Sequence, residues 1–266
     1  MKATPRPHGG DVHLYCLTLP DAAAELTRFE RLLTTTERER ACLLKSDLAR
    51  NRYIAGRGKL RDILGGYLNI DPAEVRIATG EQGKPFLADA AVDLRFNLSH
   101  VDDLLVLAIA AGVEVGVDIE RVAADKPVHD MARLVFSRRE QEELLAMPVS
   151  QQIQAFYRCW VRKEACLKAC GRGFSLPGSS FDVPLRFEES AMQTVNCNQS
   201  FWHVRDIDVP YKYCAAVAVE AGDVSSFPPT VVWWDDYNRQ PEKALSHIPD
   251  QHLQNILPAL ADFLND

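Results

Sequence analysis

Two acids two residues apart, in Gly116-Val117-Asp118-Ile119-Glu120, lie at the end of a predicted strand. Alternation along a strand sends Asp118 and Glu120 to one face and Val117 and Ile119 to the other, toward a core. Side-by-side carboxylates repel unless a cation lies between them. An all-oxygen set selects magnesium, manganese or calcium, and magnesium is typically held by one or two carboxylates together with substrate phosphates. Two solvated acids at a strand end explain the same pair equally well. Glu164, as a third carboxylate, would favour the metal.

Glu164 belongs to Phe156–Gly173, FYRCWVRKEACLKACGRG, which reads as an amphipathic helix. Glu164 and Lys168, four apart, project from one side of it, flanked by Trp160 and Lys163. Phe156, Cys159, Leu167 and Cys170 suit the packed faces. Gly171 and Gly173 are the expected C-terminal stops. A surface Glu–Lys pair above an ordinary core stripe is the plain alternative. A further cluster, Phe96-Asn97-Leu98-Ser99-His100, puts Phe96 and Leu98 inward and Asn97 and Ser99 on the other face. His100 follows at the strand end, either as a structural histidine or as a hydrogen-bond donor to an anion.

The third group is basic: Arg38, Arg40, Arg52, Arg57 and Lys84. Arginine forks suit bidentate phosphate recognition. Residues 28–62 hold ten Lys/Arg against five Asp/Glu, a local +5 in a chain of net charge −7, so the remainder carries −12. That asymmetry points to a local anion site or to a solvated, ion-paired helix, and argues against general nucleic-acid binding. Gly56-Arg57-Gly58-Lys59 lacks P-loop spacing, and Gly171-Arg172-Gly173 ends a helix where a dinucleotide fingerprint would open one.

These groups need elements to hold them. Strands are predicted at Val12–Leu19, Val75–Ala78, Leu94–Ser99, Leu104–Ala111, Val113–Ile119, Ser180–Val183, Phe201–Asp206 and Cys214–Glu220. Helices are predicted from Pro20-Asp21 onward and over Thr36–Leu68, the latter broken near Ser46-Asp47 and again near Gly56 or Gly58. Asp130–Phe136 and Ser137–Ala146 follow, the second with Ser137 and Glu140 as a capping box. The central helix starts at about Ser150. From Asp223 the composition changes to a linker, with Trp233-Trp234 suited to a core, and a C-terminal helix at His252–Leu264. Helix followed by strands occurs twice, with no sequence repeat.

The 266 residues are enough for one large domain or two small ones, and 47% apolar with 25% charged residues is a soluble composition. No run reaches the roughly 18 apolar residues of a membrane span, and the N-terminus has no signal-like apolar region. Seven scattered cysteines without a C-x-x-C pair fit free thiols in a cytoplasm.

In order, Gly83-Lys84-Pro85, Phe96-Asn97-Leu98-Ser99-His100, Gly116-Val117-Asp118-Ile119-Glu120 and Phe156-x-x-x-Trp160-x-x-Lys163-Glu164-Ala165-x-x-Lys168 resemble the Sfp-type 4′-phosphopantetheinyl transferases. The resemblance spans residues 10–222. It implies an α+β fold of two similar α/β-type halves in a pseudo-twofold arrangement. Each half would be a small, mostly antiparallel sheet packed with helices, with the active site between them. Residues 1–112 would supply the basic groups and His100, and 113–222 the carboxylates and central helix. Residues 223–266 have no assigned role.

The activity implied is transfer of phosphopantetheine from coenzyme A to a serine of an apo acyl, peptidyl or aryl carrier protein, releasing adenosine 3′,5′-bisphosphate. By resemblance Asp118, Glu120 and Glu164 hold magnesium, for which manganese is a possible substitute. His100, Lys163, Lys84 and Ser99 meet phosphates, and Arg52 with Arg38 or Arg40 meets the adenosine end. Glu164 is the expected base for the serine hydroxyl, and Lys168 is expected on the leaving phosphate. A cytoplasmic monomer serving fatty-acid, polyketide or nonribosomal-peptide synthesis is expected, with neither nucleic acid nor membrane as partner. The competing classes are a magnesium-dependent phosphodiester hydrolase and a non-catalytic module binding coenzyme A or carrier proteins.

Overall fold

A computed structural model describes residues 6–7, 11–20, 22–89, 91–186 and 192–221, with the backbone of a further strand at 231–235. Two four-stranded sheets form its centre. The first takes β1 (Val12–Thr18), β4 (Leu94–Val101) and β5 (Leu104–Ala111) antiparallel in the order β1-β5-β4, and β10 (Val231–Asp235) adds parallel to the outer edge of β1. The second runs β6-β9-β8-β7, all antiparallel, from β6 (Val115–Arg121), β7 (Gln193–Cys197), β8 (Ser200–Asp206) and β9 (Tyr213–Glu220). A small hairpin, β2 (Ile77–Thr79) with β3 (Pro85–Leu87), carries the Gly83-Lys84-Pro85 turn.

The strands read as near-continuous apolar runs because both faces of each sheet are covered. Val12, Leu14, Val106, Ala108 and Ala110 of the first sheet share a core with Val115, Val117, Ile119, Ala215, Val217 and Val219 of the second. Alternate residues of β5, namely Leu105, Leu107 and Ile109, face the helices α1 (Ala23–Leu32) and α3 (Asp47–Leu68). Alternate residues of β9, among them Cys214, Ala216 and Ala218, face α6 (Val149–Cys170), beside which lie α4 (Val128–Val135) and α5 (Arg138–Leu145). The layers are helix, sheet, sheet, helix. This is the expected α+β class.

Local signals account for most boundaries. Thr34 and Glu37 form a capping box that starts α2 (Thr35–Cys42), and Ser46 caps α3 by accepting from the Ala49 amide. Ser137 and Glu140 form the predicted box at α5. Gly171 ends α6 with a left-handed φ of 65°.

Three expectations fail. The helix α3 continues through Gly56 and Gly58, because those glycines are places of close approach. A Cβ on Gly58 would stand 2.3 Å from Phe29 of α1. Residues 180–183 form no strand; a 3-10 turn at Gly178–Ser180 leads into an irregular segment whose Phe181 and Val183 are buried in the α6 core. Residues 231–235 belong to the first sheet and not to a linker. The helix expected at His252–Leu264 lies outside the described residues. Among the described residues no helix is long and apolar enough to cross a membrane.

Candidate active site

One face of β6 carries Gly116, Asp118 and Glu120, and α6 crosses it antiparallel and very close. A Cβ at Gly116 would lie 2.2 Å from the Ala165 carbonyl oxygen and 2.3 Å from the Ala169 nitrogen. Gly116 with Ala165 and Ala169, one helical turn apart, is therefore the contact that lets α6 lie on the strand. It sets Lys168 over Asp118 and brings Glu164 and Trp160 toward Glu120.

Lys168 Nζ lies 2.6 Å from Asp118 Oδ1 and 3.0 Å from Ser99 Oγ, and Ser99 in turn donates to Asp118 Oδ1 at 2.9 Å. Ser99 arrives from the other sheet. It does so because Asn97, two residues earlier on the same face of β4, accepts from the Val117 amide at 2.9 Å and so fixes β4 against the free edge of β6. The alternation read in 96–100 holds: Phe96 enters the α3 core, while Asn97 and Ser99 face the second sheet and are buried there.

The carboxylates repel one another. Burial, then Asp118, raises the Glu164 carboxyl above the ordinary range, with Lys168 opposing. Glu120 is raised by burial, then by Asp118 and also by Glu164, against the opposing Lys168 charge and a hydrogen bond from Trp160. Asp118 Oδ2 is buried without a hydrogen-bond partner among the described residues. Three mutually repelling acids with one orphaned oxygen are the donor set that a hard divalent cation would satisfy. As arranged, no three His, Cys, Asp or Glu side chains among the described residues already encircle an ion point. The Lys168 ammonium is the cation now held on the Oδ1 side.

His100 sits exposed at the end of β4. Its pKa is lowered by partial desolvation, then by the nearby positive charges of Lys168 and Arg52, so its imidazole is neutral at pH 7. Arg52 thus belongs to the same neighbourhood, held there by Asp103 at 2.8 Å.

Four expected phosphate partners are placed elsewhere. Lys163 is 2% exposed, pairs with Glu140 at 2.8 Å, and donates to the Gly178 and Phe181 carbonyls. Adjacent to Glu164 in sequence, it points about 100° round the helix from it, into the α5 side of the core. Lys84 binds Glu114 at 2.6 Å and the Ala169 carbonyl at 2.8 Å. Glu114 is four residues before Asp118, roughly 13 Å along the strand. Arg38 and Arg40 are exposed on α2, where Arg38 donates to the Leu33 carbonyl just past α1 at 2.6 Å. Among the described residues neither touches the carboxylate cluster. Arg57 pairs with Glu37 at 3.2 Å, next to the buried Arg61–Glu37 pair.

Sequence reasoning missed Asn97 as the strap between the sheets, and it missed the pairing of Ser99 with Asp118. The signal for Asn97 was an amide on a strand predicted to be apolar on its inner face. The buried Arg162, which grips Asp206 through two 2.6 Å bonds, is a structural clamp from the same helix.

Comparison with known proteins identifies the family of the chain. A family profile described as the 4′-phosphopantetheinyl transferase superfamily matches residues 114–218, and one described as 4′-phosphopantetheinyl transferase, N-terminal, matches 21–112. The chain is 34% identical over 215 residues to 4′-phosphopantetheinyl transferase HetI of Nostoc sp., covering 80% of this chain and 88% of that protein. It is 28% identical over 205 residues to 4′-phosphopantetheinyl transferase Sfp of Bacillus subtilis, covering 77% and 89%.

Proposed function

Since this chain belongs to the 4′-phosphopantetheinyl transferase superfamily, we propose that it moves 4′-phosphopantetheine from coenzyme A to a serine hydroxyl of an apo acyl, peptidyl or aryl carrier protein, with magnesium as cofactor. The observation that carries the site assignment is the buried Asp118 Oδ2, without a hydrogen-bond partner among the described residues, beside two glutamates whose pKa values are raised by burial and then by the neighbouring acids.

Asp118, Glu120 and Glu164 are the residues that would hold the ion, with manganese as a possible substitute. When bound, it supplies neutralisation of pyrophosphate charge and polarisation of the attacked phosphorus. The rest is the work of the chain. Glu164 takes the proton of the incoming serine Oγ as that oxygen bonds to phosphorus. The bond from phosphorus to the adenosine bisphosphate oxygen breaks. Lys168 leaves Asp118 and meets the charge growing on that oxygen. Ser99 and the neutral His100 donate to phosphate oxygens, and Arg52 faces the adenosine end. Positioning and charge neutralisation carry the catalysis, and no enzyme nucleophile is needed. All these groups come from one chain, which supports a monomer.

The test is incubation with coenzyme A, magnesium and apo carrier proteins of several types, followed by mass spectrometry of the carriers. The expected result is addition of one phosphopantetheine arm, abolished by Asp118→Ala. No addition to any carrier would overturn the reading. Coenzyme A breakdown without a carrier would favour a phosphodiester hydrolase instead.

A further inference from the structure

The carboxylates assigned to magnesium already carry a cation from the chain itself. Lys168 Nζ lies 2.6 Å from Asp118 Oδ1 and 3.0 Å from Ser99 Oγ, and Ser99 Oγ lies 2.9 Å from the same Oδ1. The three atoms close a triangle. Ser99 accepts from the ammonium and donates to the carboxylate, so both donors converge on Oδ1 and neither reaches Oδ2.

The two charged partners differ in freedom. Asp118 is 4% exposed and sits within β6, in register with Ala216 of β9, so it cannot relocate. The Lys168 side chain keeps 31% of its exposure, and its ammonium rides on a flexible four-carbon stem. Among the described residues both of its hydrogen bonds end inside the cluster.

A buried carboxylate needs a counter-charge, and removing its partner leaves that charge uncompensated. Here a single ammonium serves three acids. It touches Asp118, and its field opposes the repulsion felt by Glu120 and Glu164. A divalent ion on the same carboxylate would meet a like charge at short range, where the repulsion is strong. One of the two cations must give way.

On the strength of the transferase reading above, we infer that Lys168 is an internal counter-ion that competes with the divalent metal. It yields when the pyrophosphate of coenzyme A offers its ammonium another anion. The ammonium passes from carboxylate to phosphate, the carboxylates become free for the metal, and no covalent bond changes. Metal and coenzyme A therefore bind cooperatively, each tightening the other by the same factor. Metal without substrate is disfavoured, and the exchange that admits the ion also delivers Lys168 to the phosphates.

The full-length protein is titrated with manganese, read from the electron paramagnetic resonance of the free ion, with and without coenzyme A. Carrier is omitted, and a protein-free titration corrects for manganese held by coenzyme A alone. Coenzyme A should tighten manganese binding to the native protein by about tenfold or more. Lys168→Met, which loses turnover, should bind manganese alone about tenfold or more tighter than the native protein, and respond less to coenzyme A. Lys168→Arg, which keeps the charge, should bind it as the native protein does. Adding Asp118→Asn to Lys168→Met should abolish the gain. A native affinity that coenzyme A leaves unchanged overturns the inference, and that result needs no variant to fold. Equal affinities in the native protein and a folded Lys168→Met also overturn it, as does a gain that survives Asp118→Asn. Transfer to an apo carrier is measured in parallel. If it proceeds while any of these holds, the counter-ion role falls and the transferase reading stands.

Discussion

At the scale of single residues, the site is a contest over Asp118 Oδ1. Lys168 and Ser99 both hold that oxygen, leaving Oδ2 without a hydrogen-bond partner among the described residues. Removing Lys168 should therefore do two things. Lys168→Met should reduce turnover by about two to four orders of magnitude, as loss of a transition-state cation does. It should also raise the pKa of His100, because burial, Lys168 and Arg52 all disfavour the imidazolium. NMR titration of the ligand-free protein should place His100 below the ordinary 6.5, with Lys168→Met and Arg52→Met each moving it upward. A downward shift in either variant would contradict the proximity assigned to these cations. Glu164→Gln should abolish transfer while leaving the fold in place, since among the described residues its carboxyl makes no ion pair of the kind Glu140 makes with Lys163. Near-normal turnover of Glu164→Gln at saturating magnesium would remove it as base.

At the scale of elements, the decisive contact is α6 on β6. Gly116 is the point where a side chain cannot fit, because the obstacle is helix backbone and not the end of a flexible group. Gly116→Ala should lift α6, lower stability by about 1–3 kcal/mol in urea unfolding, and reduce transfer far more than that loss alone predicts. An unchanged turnover would show that the Lys168–Asp118 distance does not depend on this contact. The sequence exposed the pieces of this arrangement but not their facing. Period-two alternation located Asp118 and Glu120 and the four-residue spacing located Glu164 and Lys168, because those patterns are local. The fate of Lys163 was hidden, since its partner Glu140 lies on a different helix and its acceptors Gly178 and Phe181 lie in an irregular segment. Gly56 and Gly58 read as breaks for a related reason. Their meaning, room for Phe29 and Leu105, is tertiary.

At the scale of the whole molecule, the site exists only where β4 and β6, the edge strands of the two face-packed sheets, come together. Ser99, His100 and Arg52 come with the first sheet; Asp118, Glu120, Glu164 and Lys168 come with the second and its helix. What holds the edges in register is the Asn97 carbonyl on the Val117 amide, beside the shared core of Val12, Leu14, Val106, Val115 and Val117. That core is non-directional and would tolerate a slide, whereas a 2.9 Å hydrogen bond to one amide would not. Asn97→Ala should leave the Val117 N–H unpaired at a buried edge and cost about 1–3 kcal/mol. Because Ser99 reaches Asp118 only through this register, Asn97→Ala should also weaken the Ser99–Asp118 coupling in a double-mutant cycle with Ser99→Ala. Kinetics separates the roles. Ser99→Ala alone should preserve the unfolding midpoint and raise the coenzyme A requirement, while Asn97→Ala should move both. If Asn97→Ala lowers stability yet leaves the coenzyme A requirement unchanged, the two sheets are registered by their apolar core alone.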